Sequence, residues 1–139
     1  MRADFYLIAK PRFRDQPLLL VCALVQKALL AEQPLVILAR DFAQAEEIDD
    51  LLWSFDEDAF IPHQLAGNED DAEVPVLIAP PGVETPSRPL AINLREAIPQ
   101  DAFERVLEVV PAESDARKGS RTRWIDYKRL GAELAKYDM

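Results

Sequence analysis

The chain of 139 residues is expected to form a single α/β domain spanning residues 1–139, Rossmann-like and three-layered, with a mainly parallel sheet and helices on both faces. The grounds are threefold. Short apolar runs alternate along the chain with segments of helical spacing, and the runs lack the in-and-out alternation of a half-solvated sheet. A hydrophobic content of 49% is enough for one continuous core at this length.

Asp4 to Ala9 (DFYLIA) is rich in β-formers and broken by Lys10-Pro11, so it reads as a first strand suited to the sheet interior. Pro17 opens a helix running to about Glu32, with Leu20, Ala23, Leu24, Lys27 and Ala28 at helical spacing and Pro34 marking its end. Leu35 to Ala39 (LVILA) is apolar throughout, the pattern of a strand covered on both faces. Asp41 caps the next helix. Its stripe of Ile48, Leu51, Leu52 and Phe55 ends at the acidic turn Asp56-Glu57-Asp58. Phe60 to Leu65 (FIPHQL) is a short extended piece that Pro62 confines to an edge or a loop.

A polar loop, Ala66 to Glu73, leads to a strand at Val74 to Ala79 (VPVLIA). Prolines bracket an irregular stretch over residues 80–89. A strand at Leu90 to Leu94, a helical turn near Phe103 and a strand at Val106 to Val110 follow. Ser114 opens a last helix that runs to about Leu130 and stops at Gly131. Arg117, Arg121, Trp124 and Lys128 recur along it at i, i+4, i+7 and i+11, sharing one face.

Charge narrows the function. The net charge of -9 opposes direct grip on a phosphate backbone, which needs clustered cations. The acids gather in the middle: residues 41–73 hold twelve Asp or Glu and no Lys or Arg, whereas residues 112–139 hold seven basic and five acidic side chains. No apolar run approaches a membrane span and the start does not resemble a signal peptide, so a cytoplasmic protein is expected.

Chemistry is sparse. Cys22 lies within an apolar helical run and reads as a core residue, and with His63 the only histidine there is no zinc set and no cysteine-histidine pair. Neither a catalytic constellation, a metal site nor a cofactor is predicted. The turn after the first strand, Lys10 to Arg14, has no glycine to let a phosphate approach. Acidic neighbours such as Asp49-Asp50 diverge by about 100° on a helix and make poor paired ligands.

The stretch Leu51 to Gly67, LLWSFDEDAFIPHQLAG, places a tryptophan near a helix end, then an acidic turn, then Phe60-Ile61-Pro62-His63 and Leu65-Ala66-Gly67. Together with FYLI at Phe5 to Ile8, VPVLIA at Val74 to Ala79, the strand at Leu90, and Val109-Val110-Pro111 before a basic aromatic helix, it resembles the chi subunit family of bacterial DNA polymerase III holoenzyme. The likeness spans nearly the whole chain. It departs in the loops at Glu69 to Glu73 and Pro80 to Pro89, in the terminal tail, and at Trp124, where the family has tyrosine.

The resemblance implies a replisome adaptor, a non-catalytic subunit of a DNA-directed DNA polymerase (nucleotidyltransferase) complex. It would be a monomer or a heterodimer with the psi subunit of the clamp-loader complex. It would bind the acidic C-terminal tail of single-stranded DNA-binding protein and meet DNA only indirectly. By the same resemblance, the tail site comprises Val110, Arg117, Arg121, Trp124, Tyr127 and Lys128. A guanidinium fork suits carboxylates, and Val110 with an aromatic ring suits a terminal phenylalanine. The psi candidates are Trp53, Phe60, Ile61, Pro62 and His63.

Each assignment has a plainer competitor. Trp124 can be core with the arginines merely solvated, and Trp53 and Phe60 can simply pack on each other over the sheet edge. Two other functions stay open beside the adaptor: an interaction module for another partner, such as a helicase-like protein at the psi surface, and a small nucleotide-binding enzyme.

Overall fold

The computed structural model describes residues 1–56 and 58–139. The chain runs β1 (Arg2–Leu7), α1 (Pro11–Asp15), α2 (Pro17–Leu30), β2 (Leu35–Leu38), α3 (Phe42–Ser54), β3 (His63–Leu65) and β4 (Val76–Ala79). It continues through β5 (Leu90–Asn93), β6 (Arg105–Val110), α4 (Ser114–Arg129) and β7 (Glu133–Asp138). Of the acidic turn expected at Asp56-Glu57-Asp58, Glu57 lies outside the described residues.

Among the described residues the strands form one sheet in the order β3-β4-β2-β5-β6-β1-β7, and every pairing is parallel. The continuous apolar runs explain this. β2, β4 and β5 are buried at every position, as strands covered on both faces must be. On one face α1, α2 and α3 pack over Tyr6, Ile37, Ile78 and Ile92; on the other, α4 and Phe103 cover Phe5, Val36, Leu77 and Val106. Helices thus lie on both faces, three against one.

Local signals set the helix ends. Pro11 and Pro17 each open a helix, where a missing N–H costs nothing. The Asp41 carboxylate accepts from the Gln44 N–H at 2.7 Å and caps α3. Gly131, at φ 80°, ends α4: its N–H donates to the Lys128 carbonyl while that of Ala132 donates to the Tyr127 carbonyl. This paired closure turns the chain from α4 straight into β7.

Two expectations need correction. The segment after Lys10 is helical, because Pro11 starts a turn that buries Phe13. No helical turn forms near Phe103, which instead sits in irregular chain and covers the sheet on the α4 side. The tail beyond Gly131, for which the sequence predicted no element, is a strand, β7, paired with β1 from Arg2–Glu133 to Leu7–Asp138.

Candidate protein-binding surfaces

At the β7 edge, a cavity of about 540 Å³ lies between α4 and the sheet. Phe5 and Leu7 of β1 and Val110 of β6 form its apolar floor. Arg117, Arg121 and Trp124 line it from α4, and Lys136 closes it from β7. The volume falls within the range of small-ligand sites. The Phe5 and Trp124 rings meet edge to face at 5.0 Å, so Trp124 is half core and half wall.

The cations differ in freedom. The Arg117 Nε donates to the Pro111 carbonyl at 2.9 Å, which holds the guanidinium at the rim. Arg121 and Lys136 are exposed and have no ion-pair partner among the described residues. An apolar floor under three uncompensated cations is chemistry for an anionic chain end carrying an apolar side chain.

Of the six residues assigned here from sequence, Val110, Arg117, Arg121 and Trp124 come together. Tyr127 does not join them: it is fully buried, and its hydroxyl donates to Glu108 Oε2 at 2.6 Å. Lys128 is exposed and does not line the cavity. Phe5, Leu7, Ser120, Ile125 and Lys136 were missed. Lys136 becomes visible only once the tail is known to be a strand.

Beneath α4 sits a polar cluster. The Glu108 carboxylate, fully buried on β6, accepts from Arg123 Nε at 2.8 Å and from Asn93 Nδ2 at 2.8 Å as well as from Tyr127. Burial pushes its carboxyl up from the ordinary value, and the Arg123 charge, Tyr127 and Asn93 pull against that shift. Burial also pushes the Tyr127 phenol up, reinforced by the neighbouring Glu108 charge. Arg123 further donates to the Ser120 hydroxyl at 3.1 Å. The cluster therefore fixes the rotation of α4 and, with it, which residues face the cavity.

The opposite edge carries an aromatic pair. Trp53 at the end of α3 is 59% exposed and Phe60 is 73% exposed, with ring centroids 6.1 Å apart. They do touch, but neither is covered. The His63 ring lies 4.8 Å from Trp53 beneath them. Its Nδ1 is 2.6 Å from the Ile61 carbonyl, and its Nε2 is 3.2 Å from both the carbonyl and a carboxylate oxygen of Asp49. His63 and Ile61, both assigned to the psi surface from sequence, are buried, so they lie under this surface rather than form it. Pro62 is half-buried between them.

The described residues show no helix long and apolar enough to cross a membrane. The fold is a parallel α/β domain with a cation-rimmed cavity at one sheet edge and an exposed aromatic pair at the other. Residues 1–135 match the family model described as DNA polymerase III chi subunit, HolC, and the chain belongs to that family. It is 39% identical to DNA polymerase III subunit chi of Pseudomonas aeruginosa, over 96% of this chain and 93% of that protein. It is 31% identical to the same-named protein of Escherichia coli, over 83% of this chain and 80% of the relative. With that of Haemophilus influenzae it shares 29% identity over 84% and 83%.

Proposed function

We propose that the chain is a two-surface adaptor of the replisome, holding the psi subunit at Trp53 and Phe60 and the acidic tail of single-stranded DNA-binding protein in the α4–β7 cavity. The observation that carries this reading is the placement of the two surfaces. β3 and β7 are the two edges of a seven-stranded sheet, six spacings of about 4.8 Å or roughly 29 Å apart. Trp53 stands on the α3 side and the cavity opens on the α4 side. Two partners can occupy these positions without sharing a contact.

Electrostatics supports the choice of a tail over DNA. The net charge of -9 repels a nucleic-acid strand, while Arg117, Arg121 and Lys136 make a local positive site for a short acidic peptide. A terminal phenylalanine finds Phe5, Leu7, Val110 and Trp124 beneath the cations. The test is calorimetric titration of an acidic peptide ending in phenylalanine into the chain alone and into its complex with psi. Equal affinity in both is expected. Mutual exclusion of peptide and psi, or failure of either to bind, would refute the two-surface adaptor.

A further inference from the structure

A groove of about 370 Å³ lies between the α1–α2 corner and α3, the helix that also carries Trp53. Pro17, Leu18 and Leu51 give it an apolar lining, and three exposed carboxylates, Asp15, Glu47 and Asp50, stand around it. None of the three has an ion-pair partner among the described residues. The start of α2 at Pro17 contributes the equivalent of about half a positive charge, less than the three carboxylates together, and Arg12 and Arg14 on α1 are not among the lining residues.

Helical spacing joins this groove to the aromatic surface. Glu47, Asp50, Leu51 and Ser54 follow i, i+3, i+4 and i+7, and Trp53 stands one turn beyond Asp50. Asp50 therefore borders both features. No Lys or Arg occurs anywhere in residues 41–73, so nothing from that segment neutralises this side of α3.

We propose that the protein docking on Trp53 and Phe60 carries a Lys or Arg side chain next to its apolar anchor, and that the Asp15–Glu47–Asp50 groove receives it. This rests on the psi-docking role proposed above. The aliphatic stem lies along Pro17, Leu18 and Leu51, and the cationic head meets the carboxylates. Such a pairing orients the partner around its aromatic anchor and speeds encounter by electrostatic steering. A purely apolar partner would leave three carboxylates facing its surface without compensation.

The experiment measures association and dissociation rates of psi with the full-length chain at low and moderate salt. Three proteins are compared: wild type, Trp53→Glu, and the triple variant Asp15→Asn, Glu47→Gln, Asp50→Asn. The amide substitutions keep shape and remove charge, and the groove residues are exposed, so the thermal melt checks that folding is unaltered. The proposal expects the triple variant to bind about tenfold more weakly at low salt and to lose most of the salt dependence of wild type. Loss of binding with Trp53→Glu but none with the triple variant overturns the groove alone. Unchanged binding with Trp53→Glu overturns the docking reading beneath it.

Discussion

Arg123 and Glu108 form an ion pair at 2.8 Å on the buried underside of α4, with the arginine side chain 11% exposed and the carboxylate fully enclosed. The same helix leaves Arg121 exposed along the cavity at the β7 edge. Two arginines, two residues apart, thus have unlike roles: one sets the helix and the other is free for a ligand.

Arg123→Ala should therefore destabilise the fold by about 3 kcal/mol, since it leaves a buried carboxylate without its charge partner. The deficit should depend on pH. Burial raises the Glu108 carboxyl and Arg123 opposes that, so the variant's carboxyl rises further. A carboxyl raised in the folded state contributes stability below its unfolded value and loses it as pH climbs through the folded one. Urea unfolding should show a small deficit near pH 4 that grows toward pH 8, and a deficit independent of pH would count against this account.

Much of the architecture was legible because its signals are local. Leu35 to Leu38 and Val76 to Ala79 announce doubly covered strands by composition, and Asp41, Pro17 and Gly131 mark helix ends by geometry. β7 was not legible for a physical reason. Glu133–Asp138 is an exposed edge whose single pairing partner lies more than a hundred residues earlier, and its composition shows neither a buried run nor clean alternation. The cavity suffered accordingly. Trp124 and Tyr127, three residues apart, both pack edge to face on Phe5, yet Tyr127 is fully buried and bonded to Glu108 whereas Trp124 stays half-buried at the cavity wall. Glu108 was a missed cue: a lone acid inside RVLEVV signals a buried partner.

The loop after β3 should be sensitive to acid. Burial alone would raise the Asp71 carboxyl, yet hydrogen bonds from the Gly67 N–H at 2.9 Å and Gln64 at 2.8 Å outweigh it and hold the group below its ordinary value of 3.8. A carboxyl lowered in the folded state contributes stability above its unfolded value and loses it as pH falls through the folded one. Asp71→Ala should lower stability by about 1 kcal/mol at neutral pH through the lost hydrogen bonds. That difference should shrink in an acid titration of the melt as pH falls below the ordinary value of 3.8 and through the lowered folded one.

Cys22 should behave as a core side chain. It is completely buried in α2, and burial pushes its thiol up to about 12, so almost no thiolate exists near neutrality. A thiol-specific reagent at about pH 8 should react at the rate of protein unfolding and promptly once denaturant is present. Fast reaction of the native chain would mean that α2 opens locally.

The tail pocket rests on Arg121 more than on its neighbours. Arg117 is held by the Pro111 carbonyl, Lys128 lies outside the cavity, and Arg123 is committed to Glu108, whereas Arg121 lines the cavity with its charge unpaired among the described residues. Arg121→Ala should weaken an acidic peptide ending in phenylalanine by about 1.5 to 3 kcal/mol, roughly ten- to a hundredfold, and leave the melt unchanged. Lys128→Ala is the comparison that should change little. Arg123→Ala cannot serve as that comparison, because its loss disturbs α4 itself. Removing the terminal phenylalanine should weaken binding to wild type through the apolar floor of Phe5, Leu7 and Val110. Added salt should weaken the intact peptide only in part, since that floor is not screened. Equal affinity of wild type and Arg121→Ala in calorimetry, or indifference to the missing phenylalanine, would leave the cavity as a surface depression and α4 as a solvated basic helix.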